Sequence, residues 1–165
     1  MCSDHFHPWG KSQGESGFVW SWLGSALQAT SLPFGVVKAL GQRYHPAIIA
    51  QAAATLTEMY KNRFWIALGS GQLLSEGITG DKWLSKAERN QRLKQSAEII
   101  RKLWKGLTVT FNGQVKIEEA KLYTLPQKPP LLICAAISAE TAEWMRNWAD
   151  GLITTSKPEK ELKEV

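Results

Sequence analysis

The sequence predicts an α/β fold built on a parallel sheet. Four short apolar runs, at 32–37, 64–68, 131–135 and 151–154, alternate with segments whose apolar residues recur at helical spacing. Because the runs are almost continuously apolar, they fit strands that are buried on both faces, as in βαβ units. The length of 165 residues and the apolar content of 44% suffice for one core, so we expect a single domain over residues 1–165.

The first half of the chain contains two helical segments. Residues 17–30 are mostly apolar, lack proline and precede the first strand run. A second helix is predicted over 46–60, because Pro46 can occupy the first helical position and apolar residues then recur at helical spacing. After the second strand run, the stretch GSGQLLSEGITGDKW (69–83) is expected to form a long loop because of its glycines.

The second half adds a long helix and a hairpin. The segment 86–106 predicts a helix with an inward apolar stripe, formed by Leu93, Ala97, Ile100 and Trp104. We assign its basic residues to a solvated face, for example Arg92, Arg101 and Lys102. The Asn-Gly pair in TVTFNGQVKIE (108–118) predicts a hairpin, an excursion between the second and third strands of the sheet. A last helix is predicted over 139–149, with Ser138 as its N-cap.

The number of predicted strands limits the architecture. The chain opens on a motif of reactive side chains with no predicted strand ahead of it, and it ends in the charged segment PEKELKEV (158–165). Four strands cannot close a barrel of eight. The pattern therefore allows either a small open sheet or the middle portion of a fold about twice as long.

Composition argues against several classes of partner. The formal charge is +5, but the 20 Lys and Arg are interleaved with 15 Asp and Glu, so we expect no nucleic-acid partner. Residues 16–37 carry no charge, yet serines dilute them and Pro33 and Gly35 interrupt them, so no membrane span is expected. We see no signal peptide, and Cys2 and Cys134 lie far apart. These observations predict a cytoplasmic protein without a disulfide framework.

Three motifs suggest different chemistries. SDHFHPW (3–9) contains His5 and His7, which could share a metal ion as in a zinc hydrolase, although no further cluster completes a ligand set. GSGQLL (69–74) begins like a phosphate-binding loop, but a leucine stands at its third glycine position, so a tight turn explains it equally well. Most tryptophans fall in predicted helices, whereas Trp9 lies outside any regular element, and we expect it to face a ligand.

The order of four motifs carries a family resemblance. SDHFHPW, GQRYHPAIIAQAAATL, RFWIALGSGQLLSE and WADGLITT together resemble the bacterial luciferase-like superfamily of flavin- and deazaflavin-dependent oxidoreductases. The likeness is greatest to the branch around deazaflavin-dependent glucose-6-phosphate dehydrogenase and its FMN-using relatives. The resemblance implies a (β/α)8 barrel with the flavin at the carboxyl ends of the strands. It also implies that the four predicted strands are about the third to sixth of a truncated barrel, with SDHF at the end of the second.

The resemblance assigns roles to the opening motif. His5 matches a histidine beside the flavin ring that acts as a general base on a substrate hydroxyl, and Asp4 matches the acid that tunes it. Trp9 matches a tryptophan that closes over the reacting centre. Val36 and Val37 match a bulge at which the family has a cis peptide bond that braces the flavin.

The remaining matches lie in three later loops. Ser70 and Gly71 match a loop that flanks the flavin, and the next residue, Gln72, stands where the dehydrogenase has a glutamate proposed as a proton donor. The phosphate loop, which has two glycines in that enzyme, is formed here by Ala136, Ile137 and Ser138 after Ala135. Thr155 matches a residue near the substrate phosphate.

These departures determine the expected cofactor and function. Because the glutamate and the double glycine are both absent, we favour FMN over the 8-hydroxy-5-deazaflavin coenzyme. The predicted function is a flavin-dependent oxidoreductase, either a monooxygenase or a dehydrogenase, that acts on a small organic molecule and can form a homodimer. The alternative from a different class is a non-catalytic half barrel that associates with itself, because open edges of a sheet are adhesive.

Overall fold

The computed structural model describes residues 1–156 and 158–162, and its centre is a five-stranded parallel sheet. The sheet strands are β1 (Cys2–Ser3), β2 (Phe34–Ala39), β3 (Phe64–Gly69), β6 (Leu132–Ala135) and β7 (Gly151–Ile153), and the antiparallel hairpin consists of β4 (Val109–Asn112) and β5 (Lys116–Ala120). The order across the sheet is β1-β2-β3-β6-β7. The predicted α/β class with a parallel sheet is therefore confirmed.

Helices connect the strands and cover the sheet. They are α1 (Val19–Ala29), α2 (Pro46–Met59), α3 (Leu73–Glu76), a 3-10 turn (Gly77–Thr79), α4 (Lys86–Trp104), α5 (Ala139–Met145) and α6 (Glu159–Leu162). Helix α4 begins with a capping box, in which Ser85 accepts from the backbone of Glu88 and the Glu88 carboxylate accepts from the backbone of Ser85. Helices α2 and α4 pack against each other, and their apolar faces complete the core over the central strands.

Three features differ from the sequence prediction. Strand β1 was not predicted, because two residues are too few to show a hydrophobic pattern. The strand is defined only by its pairing with Val36 and Val37. The predicted loop 69–83 contains α3 and the 3-10 turn. The hairpin and the Ser138 cap are confirmed, although α5 ends at Met145 rather than at residue 149.

Val36 and Val37 do not form the expected bulge. Both lie inside β2, where they pair in continuous register with β1 on one side and with Ile66 and Ala67 of β3 on the other. All peptide bonds of the described residues are trans. Unbroken pairing on both sides leaves no extra residue to bulge, and the Val36 side chain is fully buried.

Arg92 also departs from its prediction. It lies on α4 but is buried, at 7% exposure, so it does not belong to a solvated face. Arg101, by contrast, is partly exposed and forms an ion pair with Asp150 at 2.9 Å, while Lys102 is exposed. The difference arises because α4 buries a face wider than its apolar stripe.

Two further features concern membranes and cysteines. In the described residues, no helix combines the length and the apolar character that crossing a membrane requires. Cys2 and Cys134 are free thiols, and burial raises the pKa of Cys2 to about 11 and that of Cys134 to about 12.

Candidate active site

The carboxyl ends of the five parallel strands meet at one edge of the sheet. The residues that follow the strands there are Asp4 after β1, Leu40 after β2, Ser70 after β3, Ala136 after β6 and Thr154 after β7. In sheets of parallel strands, ligands bind beyond this edge, because the connecting loops can vary there without disturbing the core. The sequence-predicted residues of SDHFHPW and of the three later loops are thus brought to one side of the molecule.

Four charged side chains are buried together at this edge, and we call them the buried charge cluster: Asp4, Lys38, Arg43 and Glu76. Lys38 Nζ lies 2.5 Å from Asp4 Oδ2, and Arg43 Nη2 lies 3.5 Å from Asp4 Oδ1. Arg43 Nε donates to Glu76 Oε1 at 3.0 Å. None of the four side chains is more than 7% exposed. Two cations and two anions therefore offset one another where water is excluded.

Strand register places the first pair of the cluster. Ser3 pairs with Val37 across the parallel ladder, and the Asp4 N–H donates to the Val37 carbonyl at 2.9 Å. Asp4 follows Ser3 in the sequence and Lys38 follows Val37, so these two residues lie side by side. Arg43 reaches the same point from the β2–α2 loop, where its Nη2 also donates to the Asp4 carbonyl oxygen at 2.8 Å.

Burial governs the protonation of Lys38. Its ammonium lies 3.3 Å from the ring centroid of Tyr44, a cation–π contact. Removal from water lowers the pKa of Lys38 from 10.5 to about 8, and the attraction of Asp4 offsets this only in part. Burial likewise raises the pKa of the Tyr44 hydroxyl.

His5 and Trp9 form the accessible part of the site. Their rings meet edge to face with centroids 5.0 Å apart, and Trp9 is 64% exposed. The Ser16 hydroxyl donates to the His5 carbonyl at 2.6 Å and ties the motif to the following loop. Burial, and next the positive charge of Arg43, lowers the pKa of His5, against an opposing influence of Asp4. The imidazole is therefore neutral near pH 7 and able to accept a proton.

The loop after β3 approaches the buried charge cluster closely. Ser70 and Gly71 are half-buried, whereas Gln72 is exposed at the start of α3. Gly71 has φ +88°, and a Cβ there would lie 3.0 Å from Glu76 Cγ and 3.3 Å from Ala39 Cβ. Only glycine fits this position without strain.

The loop after β6 leaves fewer groups for a ligand than the sequence suggests. The Ala136 N–H donates to the Ile153 carbonyl at 3.0 Å, and the Ser138 hydroxyl caps α5 through Thr141. The Ile137 side chain is mostly exposed. Helix α5 has only seven residues, so its dipole is small. Thr155 is exposed beyond β7.

The metal hypothesis receives no support from the described residues, among which no group of three His, Cys, Asp or Glu side chains could hold an ion. His7 is exposed and packs its ring against Phe6. The third histidine, His45, is the N-cap of α2: its Nδ1 accepts from the Ala47 N–H, and its Nε2 lies 2.8 Å from the Lys116 carbonyl oxygen.

Sequence reasoning missed Lys38, Arg43 and Glu76. One signal was present, because Lys38 is a charged residue within an otherwise apolar strand, and such a residue needs a buried partner. The other two lie in segments that read as loops, so nothing in the sequence indicated their burial.

Comparisons with known proteins agree with the geometry. A family described as luciferase-like monooxygenase matches residues 1–165. The F420-dependent hydroxymycolic acid dehydrogenase of Mycobacterium tuberculosis is 35% identical over 165 residues, which is 98% of this chain and 46% of that protein. The F420-dependent glucose-6-phosphate dehydrogenase of Microbacterium testaceum is 38% identical over 98% of this chain and 49% of its own length.

Solved structures give the same result. An F420-dependent secondary alcohol dehydrogenase, in complex with an F420-acetone adduct, superposes with a TM-score of 0.89 at 33% identity, over 99% of this chain and 51% of that one. The F420-dependent tetrahydromethanopterin reductase of Methanopyrus kandleri shares the fold, with a TM-score of 0.75 at 17% identity. The chain spans about half the length of the curated relatives it matches.

Proposed function

The chain belongs to the luciferase-like monooxygenase family, and we propose that it acts as an oxidoreductase with the deazaflavin coenzyme F420. The observation that carries the proposal is the identity of 35% and 38%, over nearly all of this chain, to two F420-dependent dehydrogenases. These relatives favour F420 over FMN, which the sequence alone had favoured because of Gln72 and the segment Ala135–Ser138. Since the chain spans about half of each relative, its activity is an inference.

The proposed substrate is a small molecule that bears a hydroxyl group. Hydroxymycolic acid, glucose 6-phosphate and secondary alcohols, from which the relatives and the matched structure take their names, all carry one. When bound, the coenzyme would supply a two-electron hydride acceptor. We expect it beside His5, with the half-buried Ser70 and Gly71 and the exposed Ile137 flanking it.

The proposed proton acceptor is His5. Its imidazole is neutral near pH 7, so one ring nitrogen can take the proton that a substrate hydroxyl loses as its carbon is oxidised. Trp9 lies against this imidazole and would exclude water from the reacting atoms. Asp4 would act indirectly: its charge favours the imidazolium, and its ion pairs fix the backbone from which His5 projects.

A titration tests the cofactor. The chain is mixed with F420 and, separately, with FMN, while cofactor and tryptophan fluorescence are followed. We expect saturable binding of F420 and much weaker binding of FMN. The reverse preference would replace F420 by FMN in the proposal, and binding of neither would remove the proposal for this chain.

A second experiment tests His5. In a chimaera that joins this chain to the strands of a dehydrogenase relative that it does not span, His5→Ala should lower kcat by roughly 10²–10⁴-fold, as is typical for loss of a general base. His7→Ala removes an exposed imidazole from the same motif and is the matched control. Equal turnover in the two variants would show that His5 is not the base.

One observation favours a second function, that of a non-catalytic half barrel that associates through its sheet. In the described part of the chain, no further strand pairs with the outer edges of β1 and β7. Such edges present unpaired backbone groups to any other strand. Failure to retain either flavin, together with concentration-dependent association, would favour this alternative.

A further inference from the structure

A cavity lies outside the residues that we assign to catalysis. It has a volume of about 550 Å³, is open to solvent, and is lined by the β2–α2 loop, the segment before α4, helix α4 itself and the turn of the hairpin. Asp4, His5 and Trp9 are not among its lining residues. Neither the family resemblance nor the proposed reaction gives this cavity a role.

The cavity contains a buried arginine that lacks partners for part of its side chain. Arg92 is 7% exposed, and its Nε and Nη2 have no hydrogen-bond partner among the described residues. The carboxylate that most favours its charge is Glu76, but Glu76 already accepts from Arg43 Nε at 3.0 Å and from the Arg43 backbone N–H at 3.2 Å. Burying guanidinium donors without acceptors is costly, so a missing acceptor is indicated.

The rest of the lining favours an anion with a neighbouring hydroxyl. Lys82 and Lys116 add two positive charges beside Arg92, against one negative charge from Asp81. Gln42 contributes a buried Oε1 that also lacks a partner among the described residues, while its Nε2 donates to the Asp81 carbonyl at 3.0 Å.

Gly41 provides the space that this arrangement needs. A Cβ at position 41 would lie 2.9 Å from Arg92 Nη2 and 3.2 Å from Glu76 Oε2. A side chain at residue 41 would therefore force the Arg92 guanidinium to shift from its position.

We propose that this cavity binds a small carboxylate or phosphate that also carries a hydroxyl group, with the anionic oxygens on Arg92 and the hydroxyl on Gln42. Nε and Nη2 lie on the same edge of the planar guanidinium and suit two oxygens of one anionic group. The proposal concerns a site separate from the coenzyme and does not depend on the oxidoreductase function.

The test is an NMR titration of this chain, without coenzyme, in a buffer free of phosphate and carboxylate. The Arg92 Nε–Hε signal, assigned with Arg92→Gln, is followed as inorganic phosphate is added and, in a second series, as glycerate is added. We expect a saturable shift of this signal and of the Gln42 side-chain amide, with glycerate binding more tightly because it has hydroxyls. A shift with phosphate only would assign the site to phosphate groups, and no saturable shift with either probe would overturn the proposal.

Variants separate specific binding from general charge. Arg92→Gln should weaken binding about tenfold or more, as expected for loss of a charge-assisted hydrogen bond. Lys102→Gln removes the same charge from an exposed position of α4 and should change binding less than twofold, about the scale of a screened surface charge. If Arg92→Gln does not fold, Gly41→Ala provides the test, because it obstructs the guanidinium and should also weaken binding. Equal weakening by Lys102→Gln would show that the anion is held by net charge alone.

Discussion

Lys38 and Asp4 are both almost completely buried, and they form an ion pair between β2 and the residue that follows β1. A buried ion pair is costly to break, because removal of one partner leaves the other charge in a medium of low dielectric constant. We expect Asp4→Asn to lower the free energy of unfolding by about 3–5 kcal/mol near neutral pH. The double variant Asp4→Asn with Lys38→Met should recover most of this loss, because no uncompensated ammonium remains. Urea denaturation measures both, and strictly additive effects would contradict the coupling.

The pKa of Lys38 adds a pH dependence with a definite sign. Its pKa is about 8 when folded and 10.5 in the unfolded chain, so between these values the unfolded state binds more protons. The free energy of unfolding should therefore rise between about pH 8 and pH 10.5 relative to that of Lys38→Met, by about 3 kcal/mol in total. Denaturation at several pH values, with the variant as reference, checks this. A difference that stays flat over this range and falls only above pH 10.5 would mean that the Asp4 charge outweighs the cost of burial.

His5 should titrate below its ordinary value of 6.5, because burial and the Arg43 charge disfavour the imidazolium. NMR of the histidine ring protons measures the midpoint directly, and His5→Gln identifies the signal. A midpoint at or above 6.5 would contradict the lowered pKa, and a midpoint above 7 would leave His5 largely protonated at neutral pH and would count against its role as the base.

At the scale of elements, α4 shows what a sequence pattern can and cannot predict. The stripe that includes Leu93, Ala97 and Ile100 was predicted and is buried. A second stripe beside it is also buried, formed by Arg92, Ser96, Ile99 and Leu103. Helix α4 contacts both α2 and β4, so it is covered on two sides. The sequence of the helix does not show that a second element packs against it. Arg92 was misassigned for this reason.

Strand β2 offers an element-scale prediction at Gly35. This residue pairs with Trp65 of β3, and a Cβ on it would lie 1.9 Å from Trp65 Cε2, inside the indole ring. Gly35→Ala should lower the free energy of unfolding by about 1–3 kcal/mol, because the indole must leave its position. The control is Gly24→Ala in α1, where nothing lies within 4 Å of the new methyl group and helix propensity predicts a gain of up to about 1 kcal/mol. Thermal melts compare the two, and a neutral Gly35→Ala would mean that Trp65 has room to move.

At the scale of the whole molecule, parallel register created the part of the site that the sequence did not reveal. The order of strands and helices could be read from alternating apolar runs, and the opening motif suggested His5 and Trp9 as candidate site residues. Asp4 and Lys38 lie 34 positions apart in the sequence, and they meet because Ser3 pairs with Val37. A strand of two residues is too short to be recognised from the sequence, so this pairing could not be predicted. Long-range pairing of this kind depends on the assembled sheet and is not encoded in any local pattern.

The open edges of that sheet lead to the last prediction. Leu152 lies on β7, an outer strand, and is 45% exposed, so its side chain and the unpaired backbone beside it offer an apolar edge to another chain. We expect the chain to associate as its concentration rises, and Leu152→Lys to reduce this association, because a charge on an edge strand opposes pairing. Leu107→Lys changes a similarly exposed leucine between α4 and the hairpin, away from the edge, and is the control. Sedimentation velocity over a range of concentrations distinguishes the two. A monomeric wild-type chain, or equal effects of both variants, would show that the sheet edge does not drive association.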